Sequence, residues 1–470
     1  MLHLVNENSR PNNSSSGSSF IFFASLYFAG TLGKFPFGGS AKGEELAAPL
    51  RARKSADETV AIMALDIVLA AFWLVTLSPA LARPDSYRRQ VTFEYNPGRD
   101  PPTASSTAPN LLHVRAVGCN DTIHYVWSSL GAPTVLLIYS RSASSTLRVN
   151  WTKLVLRDPT GAVRIEPPEA VVYSTAVVFS RLFEYDDVNC TADLMQVPAD
   201  SFYPSYLLED FTWEDVNATI NTSTFTAQLR GRNATGRAFA NGSIAFRIAA
   251  FEDSGCDGDL PHLLHTANSS KVEFVIENLQ ARGNQSRFGL ELLVLEDEVT
   301  QQEMRVSRTI DDEYTPSIFK VAELVGVMRN SSQVRSFLQW KPVVYSSPRP
   351  SLVNSTQSRH YTLQTDPNQT LPATSIAFAL AGTQWRQGSG VSALNISFGS
   401  PGDQLDLSHP YISWSALIGY GDPPEDTISV LVLVIMAVGL GLPALLLLLG
   451  GVVVSTIRRR RQTTGYQPIN

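Results

Sequence analysis

From Ile428 to Val454 the chain runs for 27 residues without one charged side chain, "ISVLVLVIMAVGLGLPALLLLLGGVVV". Wound as a helix rising about 1.5 Å per residue, this stretch is about 40 Å long. That exceeds the roughly 30 Å hydrocarbon core of a bilayer, and its length and apolarity favour a membrane span over a buried core helix. Pro443 is tolerated inside such a helix through a local kink, and tilt absorbs the excess length. The flanks differ in sign: Asp422, Glu425 and Asp426 precede the run, and Arg458, Arg459, Arg460 and Arg461 follow it. Positive charge marks the cytosolic side. Residues 455–470 are therefore expected as a short cytosolic tail, 428–454 as the transmembrane helix, and 83–427 on the opposite, lumenal side.

That orientation requires an export signal. Residues 63–82, "MALDIVLAAFWLVTLSPALA", supply an apolar stretch with small residues at Ala80 and Ala82, so cleavage is expected after Ala82. Residues 1–62 carry a second apolar patch, "FIFFASLYFAG", and a Ser/Asn-rich run. They are expected to hold no folded domain, as a disordered extension or a start-site artefact.

The region 83–427 contains thirteen Asn-x-Ser/Thr sequons, at Asn120, Asn150, Asn189, Asn217, Asn221, Asn233, Asn241, Asn268, Asn284, Asn330, Asn354, Asn368 and Asn395. Ordinary composition would give roughly two or three by chance, so the density points to a segment glycosylated in the secretory lumen. In "LRVNWTKLVL" the alternation sets Leu147, Val149 and Trp151 on one strand face and Arg148, Asn150 and Thr152 on the other, which would aim a sugar at solvent.

Several segments rich in Val, Ile, Phe, Tyr and Thr read as strands: "RQVTFEY", "TVLLIYS", "LRVNWTKLVL", "AVVYSTAVVFSRLFEY", "GSIAFRIAAF", "KVEFVIENL" and "FLQWKPVVYS". They predict a mainly β fold, a lumenal β-sandwich of one or two domains, with the C-terminal transmembrane helix appended. A short helix is expected near "SYLLEDFTWEDV", and loops or a domain junction at 96–109 and around 346–372. "HPYISWSALIGYGDPP", rich in Tyr and Trp, is expected at the membrane interface near a partner contact. Three cysteines, Cys119, Cys190 and Cys256, lie in this region. One disulfide and one free thiol are expected, with the pairing open.

A net charge of -6 with 17% charged residues argues against nucleic acid as a partner. The Arg458–Arg461 run is explained by topology. The chain holds no Gly-x-Ser-x-Gly elbow, Cys-x-x-Cys, Walker A loop or His-Glu-x-x-His. "GLGLPA" mimics a dinucleotide fingerprint but lies inside the span, where Ala437 and Gly441 suit close helix packing. "HLLH" sets His262 and His265 on one face if helical, without the further ligands a metal needs. Asp311, Asp312 and Glu313 in "IDDEY" read as a solvated or salt-bridged cluster rather than acid/base or calcium ligands. Dispersed carboxylate pairs keep a lumenal acid hydrolase as one alternative, and an adhesion or sorting receptor is another.

The tail ends in Tyr466-Gln467-Pro468-Ile469, a tyrosine-x-x-apolar pattern that clathrin adaptor subunits bind as an extended peptide, with Tyr466 and Ile469 in separate pockets. The short tail, the preceding glycine and the near-terminal position resemble those of lysosomal membrane glycoproteins. "LLHVRAVG", "IHYVWSSLG", "FANGSIAFR", "HLLHTA", "IDDEYTPSIF", "YISWS", the span and "YQPIN" occur in an order by which residues 83–470 closely resemble the glycosylated lysosomal membrane protein family. The extension before Met63 has no counterpart in that resemblance. The resemblance implies a single-pass, type I protein of the lysosome membrane. It further implies a non-enzymatic role, without catalytic residues or cofactor: binding a dipeptide transporter of the major facilitator superfamily and protecting it from proteolysis.

Overall fold

The computed structural model describes residues 87–462 except 100–108, 157, 234–236, 297–299, 309–319, 366–373, 383–390, 404–409 and 426–429. The segments 1–62 and 63–82, the sequon Asn368, the carboxylates Asp311, Asp312 and Glu313, and the tail residues Tyr466 and Ile469 lie outside the described residues.

The mainly β expectation holds. The strands are β1 (Gln90–Tyr95), β2 (Leu111–Val117), β3 (Thr122–Ser128), β4 (Thr134–Ser140), β5 (Thr146–Val149), β6 (Val163–Glu166), β7 (Val171–Asp186) and β8 (Tyr206–Leu207). Next come β9 (Thr212–Trp213), β10 (Thr226–Arg232), β11 (Ser243–Ala250), β12 (Gly255–Cys256), β13 (Leu264–His265), β14 (Ser269–Glu277), β15 (Ser286–Leu295) and β16 (Thr300–Ser307). The series ends with β17 (Val321–Met328), β18 (Val334–Trp340), β19 (Val343–Tyr345), β20 (Ser355–His360), β21 (Gln364–Thr365), β22 (Val391–Phe398) and β23 (Tyr411–Tyr420).

Two large antiparallel layers result. The first runs β1-β2-β3-β4-β7-β15-β22-β20. The second runs β9-β10-β11-β14-β23-β18-β17-β16. Short β19 bonds to β20 of the first and β23 of the second, so the layers join at that point. Apolar residues at every second position of both layers meet in one core. Phe179 of β7 packs on Phe246 of β11 with ring centres 4.6 Å apart, and Tyr139 of β4 stacks on Tyr420 of β23 at 4.0 Å.

The first layer is covered on its other face too. Leu293 and Leu295 of β15, with Leu136 and Ile138 of β4, pack under the β5–β6 hairpin, the one-turn helix Trp151–Leu154 and the short helix Ile376–Ala381. Burial on both faces is why β15, "SRFGLELLVL", is buried along its whole length and shows little alternation. At Gly289 that packing leaves no room for a side chain, since an added Cβ would sit 2.2 Å from the Phe183 ring across the strand pair.

Five expectations need correction. The strand through "LRVNWTKLVL" stops at Val149, because Asn150 caps a helical turn by accepting from the Lys153 amide at 3.0 Å. "FLQWKPVVYS" is two strands, β18 and β19, broken at Lys341-Pro342, where proline lacks the N–H a ladder needs. The stretch 346–372 is no simple linker, since β20 within it pairs with both β19 and β22. "HPYISWSALIGYGDPP" is not an interfacial belt: Tyr411–Tyr420 is an interior strand between β14 and β18, and Trp414 is buried in the core. Near "SYLLEDFTWEDV" the expected helix is a single 3-10 turn, Leu208–Asp210, between the two-residue strands β8 and β9.

Candidate functional site

Of the twelve sequon asparagines in the described residues, Asn120, Asn150, Asn189, Asn217, Asn221, Asn241, Asn284 and Asn330 are exposed. Asn233, Asn268, Asn354 and Asn395 are half-buried. All but Asn395, on β22, lie outside the strands, in the turns that rim the two layers. These turns hold the side chains in place. The Asn221 carboxamide oxygen accepts from the amides of Ser223 and Thr224 at 3.0 and 3.3 Å, and that of Asn268 accepts from Arg89 Nε at 2.7 Å. Arg89 in turn makes two bonds to Asp121, at 2.9 and 2.8 Å, beside Asn120. In each case the oxygen is engaged and the amide nitrogen is the atom that would carry sugar.

A chain of polar groups that sequence reading missed runs through the first layer. Ser145 Oγ lies 2.9 Å from His124 Nε2, His124 Nδ1 lies 2.9 Å from His113 Nε2, and His113 Nδ1 lies 3.9 Å from a Glu94 carboxylate oxygen. Serine, two histidines and a carboxylate in line suggest a hydrolase, but proton bookkeeping opposes it. The Ser145 hydroxyl donates to the Ser142 carbonyl at 3.0 Å, so it accepts from His124 N–H, the reverse of what a general base requires. Ser145, His113 and His124 are all buried, out of reach of a substrate. Burial first, then the nearby His113 and Arg115, push the His124 pKa down to about 2. Burial lowers that of His113 as well. Both rings are neutral. The cross-strand register His113–Val126 and Arg115–His124 places them on adjacent strands, a signal invisible without the pairing.

Glu184 of β7, unlike the exposed Glu94, is a buried carboxylate. It accepts from Ser286 Oγ and the Arg282 amide, each at 2.6 Å, and from Tyr206 hydroxyl at 3.1 Å, which ties β7, β8 and β15 together. His262 and His265 do not share a helix face. His262 sits in a turn with φ 55°, its Nδ1 2.9 Å from the Asp257 carbonyl, whereas His265 on β13 stacks on Phe251 at 3.7 Å. Among the described residues no three His, Cys, Asp or Glu side chains gather to hold a metal. The expected disulfide is not formed. Cys119 in the β2–β3 turn, Cys190 after β7 and Cys256 on β12 are held on separate segments, and no disulfide joins them.

The C-terminal helix, Val430–Gln462, includes Pro443 and ends in the arginine run. Its stretch Val438–Arg459 has a mean hydropathy of 2.3, and none of the described side chains in it is buried. Leu440, Leu447 and Leu448 are among its exposed apolar side chains, and Arg458 and Arg459 are exposed near its end. Just before it, the chain leaving β23 crosses the second layer. Gln339 Nε2 donates to the Pro424 carbonyl at 2.9 Å and to Glu323 at 3.0 Å.

These features define a class: a two-layered β body carrying, among the described residues, one C-terminal helix long and apolar enough to cross a membrane. The comparisons resolve the class further. A family model described as glycosylated lysosomal membrane protein matches residues 110–462. Glycosylated lysosomal membrane protein B of Xenopus laevis is 50% identical over 385 residues, 81% of this chain and 93% of that protein. The glycosylated lysosomal membrane proteins of Danio rerio and Homo sapiens are 43% and 38% identical, over 83% and 81% of this chain and 94% and 91% of theirs. The chain belongs to the glycosylated lysosomal membrane protein family.

Proposed function

We propose that this chain is a non-enzymatic accessory subunit of a dipeptide transporter of the major facilitator superfamily in the lysosome membrane, which it shields from proteolysis. The observation that carries the reading is the ring of sequon-bearing turns around a continuous β body hung on one exposed apolar helix. Sugars at those turns would surround the body while the layers keep their strands paired, and backbone locked in a ladder and screened by glycans is a poor protease substrate. In this reading the body is lumenal and the protein type I, with Arg458, Arg459, Arg460 and Arg461 in the cytosol. Clathrin adaptor subunits engage Tyr466 and Ile469. Subunit and transporter bind in their folded states, so each stabilises the other. No cofactor enters the proposal.

The test is transporter lifetime in cells lacking this protein. A half-life shortened several-fold, and restored by re-expression, supports the role; an unchanged half-life refutes it. Turnover of a substrate by the purified protein at acid pH would place it among hydrolases instead. Delivery of a bound lumenal cargo would make it a sorting receptor.

A further inference from the structure

Strand β16 lies at one rim of the second layer. Among the described residues it pairs with β17 alone. From Gln301 to Ser307 its other side makes no main-chain bond to another described residue, which makes this edge a template on which a further strand can form. Beside this rim the chain leaving β23 brings Asp422 and Glu425 next to Glu303 and Glu323 around an open cleft that also includes Arg305 and Val306. Four carboxylates share one cation there, and that cation, Arg305, already bonds Glu303 at 2.8 Å. Glu323 accepts from Ser307 and Gln339, which fixes it without neutralising it.

Position and surroundings add to the charge. Glu425 stands five residues before the helix start at Val430, a chain reach of at most about 17 Å, so the cleft is at the anchored end of the body. Neither β16, β17, β18 nor the segment 420–425 carries a sequon; Asn330 sits in the β17–β18 turn, beside the opposite, Thr300 end of β16. On a surface rimmed with sequons this is a bare patch. A second copy adding through the same rim would set these carboxylates against their own kind, so like-charge repulsion disfavours it.

We propose that the β16 rim and its acidic cleft receive an extended, lysine- or arginine-bearing lumenal segment of a multi-pass membrane partner, added as one more strand. The inference rests on the accessory-subunit reading and locates its contact. Main-chain bonds along β16 give the strand its hold, the four carboxylates select its cations, and Val306, 57% exposed, offers an apolar contact at the rim.

Full-length wild type and the triple variant Glu303→Lys/Asp422→Lys/Glu425→Lys are purified in mild detergent from cells lacking the native protein, and the co-purifying transporter is quantified by mass spectrometry. The variant, matching wild type in glycosylated mass and unfolding midpoint, is expected to retain at least about tenfold less transporter. Glu166→Lys/Glu169→Lys, on and beside the β6 hairpin, is expected to retain it all. Should the triple variant misfold, a photo-crosslinking residue at Val306 in an otherwise native chain decides. Adducts on consecutive residues of one basic lumenal segment support the proposal, and adducts on a membrane helix, or none, overturn it. Equal retention by wild type and triple variant overturns the docking surface alone, whereas a wild type that retains no transporter overturns the accessory reading as well.

Discussion

Replacing His124 by glutamine should make the protein less sensitive to acid, and the size of the effect follows from the buried histidine pair. An unfolded histidine titrates near 6.5. In the fold, burial, His113 and Arg115 hold His124 neutral down to about 2. The unfolded chain therefore binds a proton that the native state refuses, so stability is full above pH 6.5 and is lost as pH falls from there toward about 2. At pH 5 the loss is about 1.5 pH units at about 1.36 kcal/mol each, or about 2 kcal/mol from His124. His113, lowered in the same direction, steepens the slope. Glu94 and Arg115 are the charged groups facing the pair, and Arg115 is pinned by its bonds to the Ser145 and Ala143 carbonyls at 2.9 and 2.6 Å. Glutamine retains a donor for Ser145 but has no proton to gain. Urea unfolding of the detergent-solubilised full-length protein, followed by fluorescence of the buried Trp127, Trp340 and Trp414, gives stability at pH 7 and pH 5. His124→Gln lowers stability at pH 7 through imperfect packing, but its drop between the two pH values should be shallower than wild type by about 2 kcal/mol. Parallel pH profiles for the two proteins would refute the assignment of a neutral buried imidazole.

Gly289→Ala forces a methyl into the Phe183 ring and should cost about 1–3 kcal/mol, read as a lower unfolding midpoint. Arg287→Ala removes the cation 2.7 Å from buried Asp187 and should cost about 3–5 kcal/mol by chemical denaturation; a change below about 1 kcal/mol would mean that water reaches the carboxylate. Asn150→Gln should remove one glycan from the mass on a gel and weaken the cap of the Trp151–Leu154 turn by about 1 kcal/mol, whereas Thr152→Ala should remove the glycan and keep the cap. Tyr466→Ala is expected to shift the protein to the cell surface in biotinylation assays, and an unchanged distribution would separate sorting from the tail.

The elements legible in the sequence were those with one covered face or a clean boundary. "TVLLIYS" is β4 to the residue, and "AVVYSTAVVFSRLFEY" differs from β7 by one residue at either end. The membrane helix was set by length and apolarity alone. β15 and β23 were not read as strands, because burial on both faces erases the alternation that marks one. The aromatic content of β23 then suggested a bilayer interface, although Trp414 and Ile412 fill the space between the layers. Asn150 deceived for a local reason: its side chain satisfies a helix amide, and no strand pattern can register that competition. The sequons were plain as a motif, but their segregation to turns was not. The histidine chain and the acidic cleft depend on pairing across β1, β2 and β3 and on the path of residues 421–425, neither of which leaves a periodic trace.

The strand that divides the second layer is also the last one made. β23 is flanked by β14 and β18, and only nine residues lie between Tyr420 and the start of the C-terminal helix at Val430. In the proposed type I topology, synthesis from the N-terminus would leave the gap between β14 and β18 unfilled until almost all of the body has been translocated. If the sequons are used as proposed, sugar would be attached while the sandwich is still ajar, even at Asn395 on β22. In that topology, closure of the body and arrival of the C-terminal helix at the membrane would fall within moments of each other.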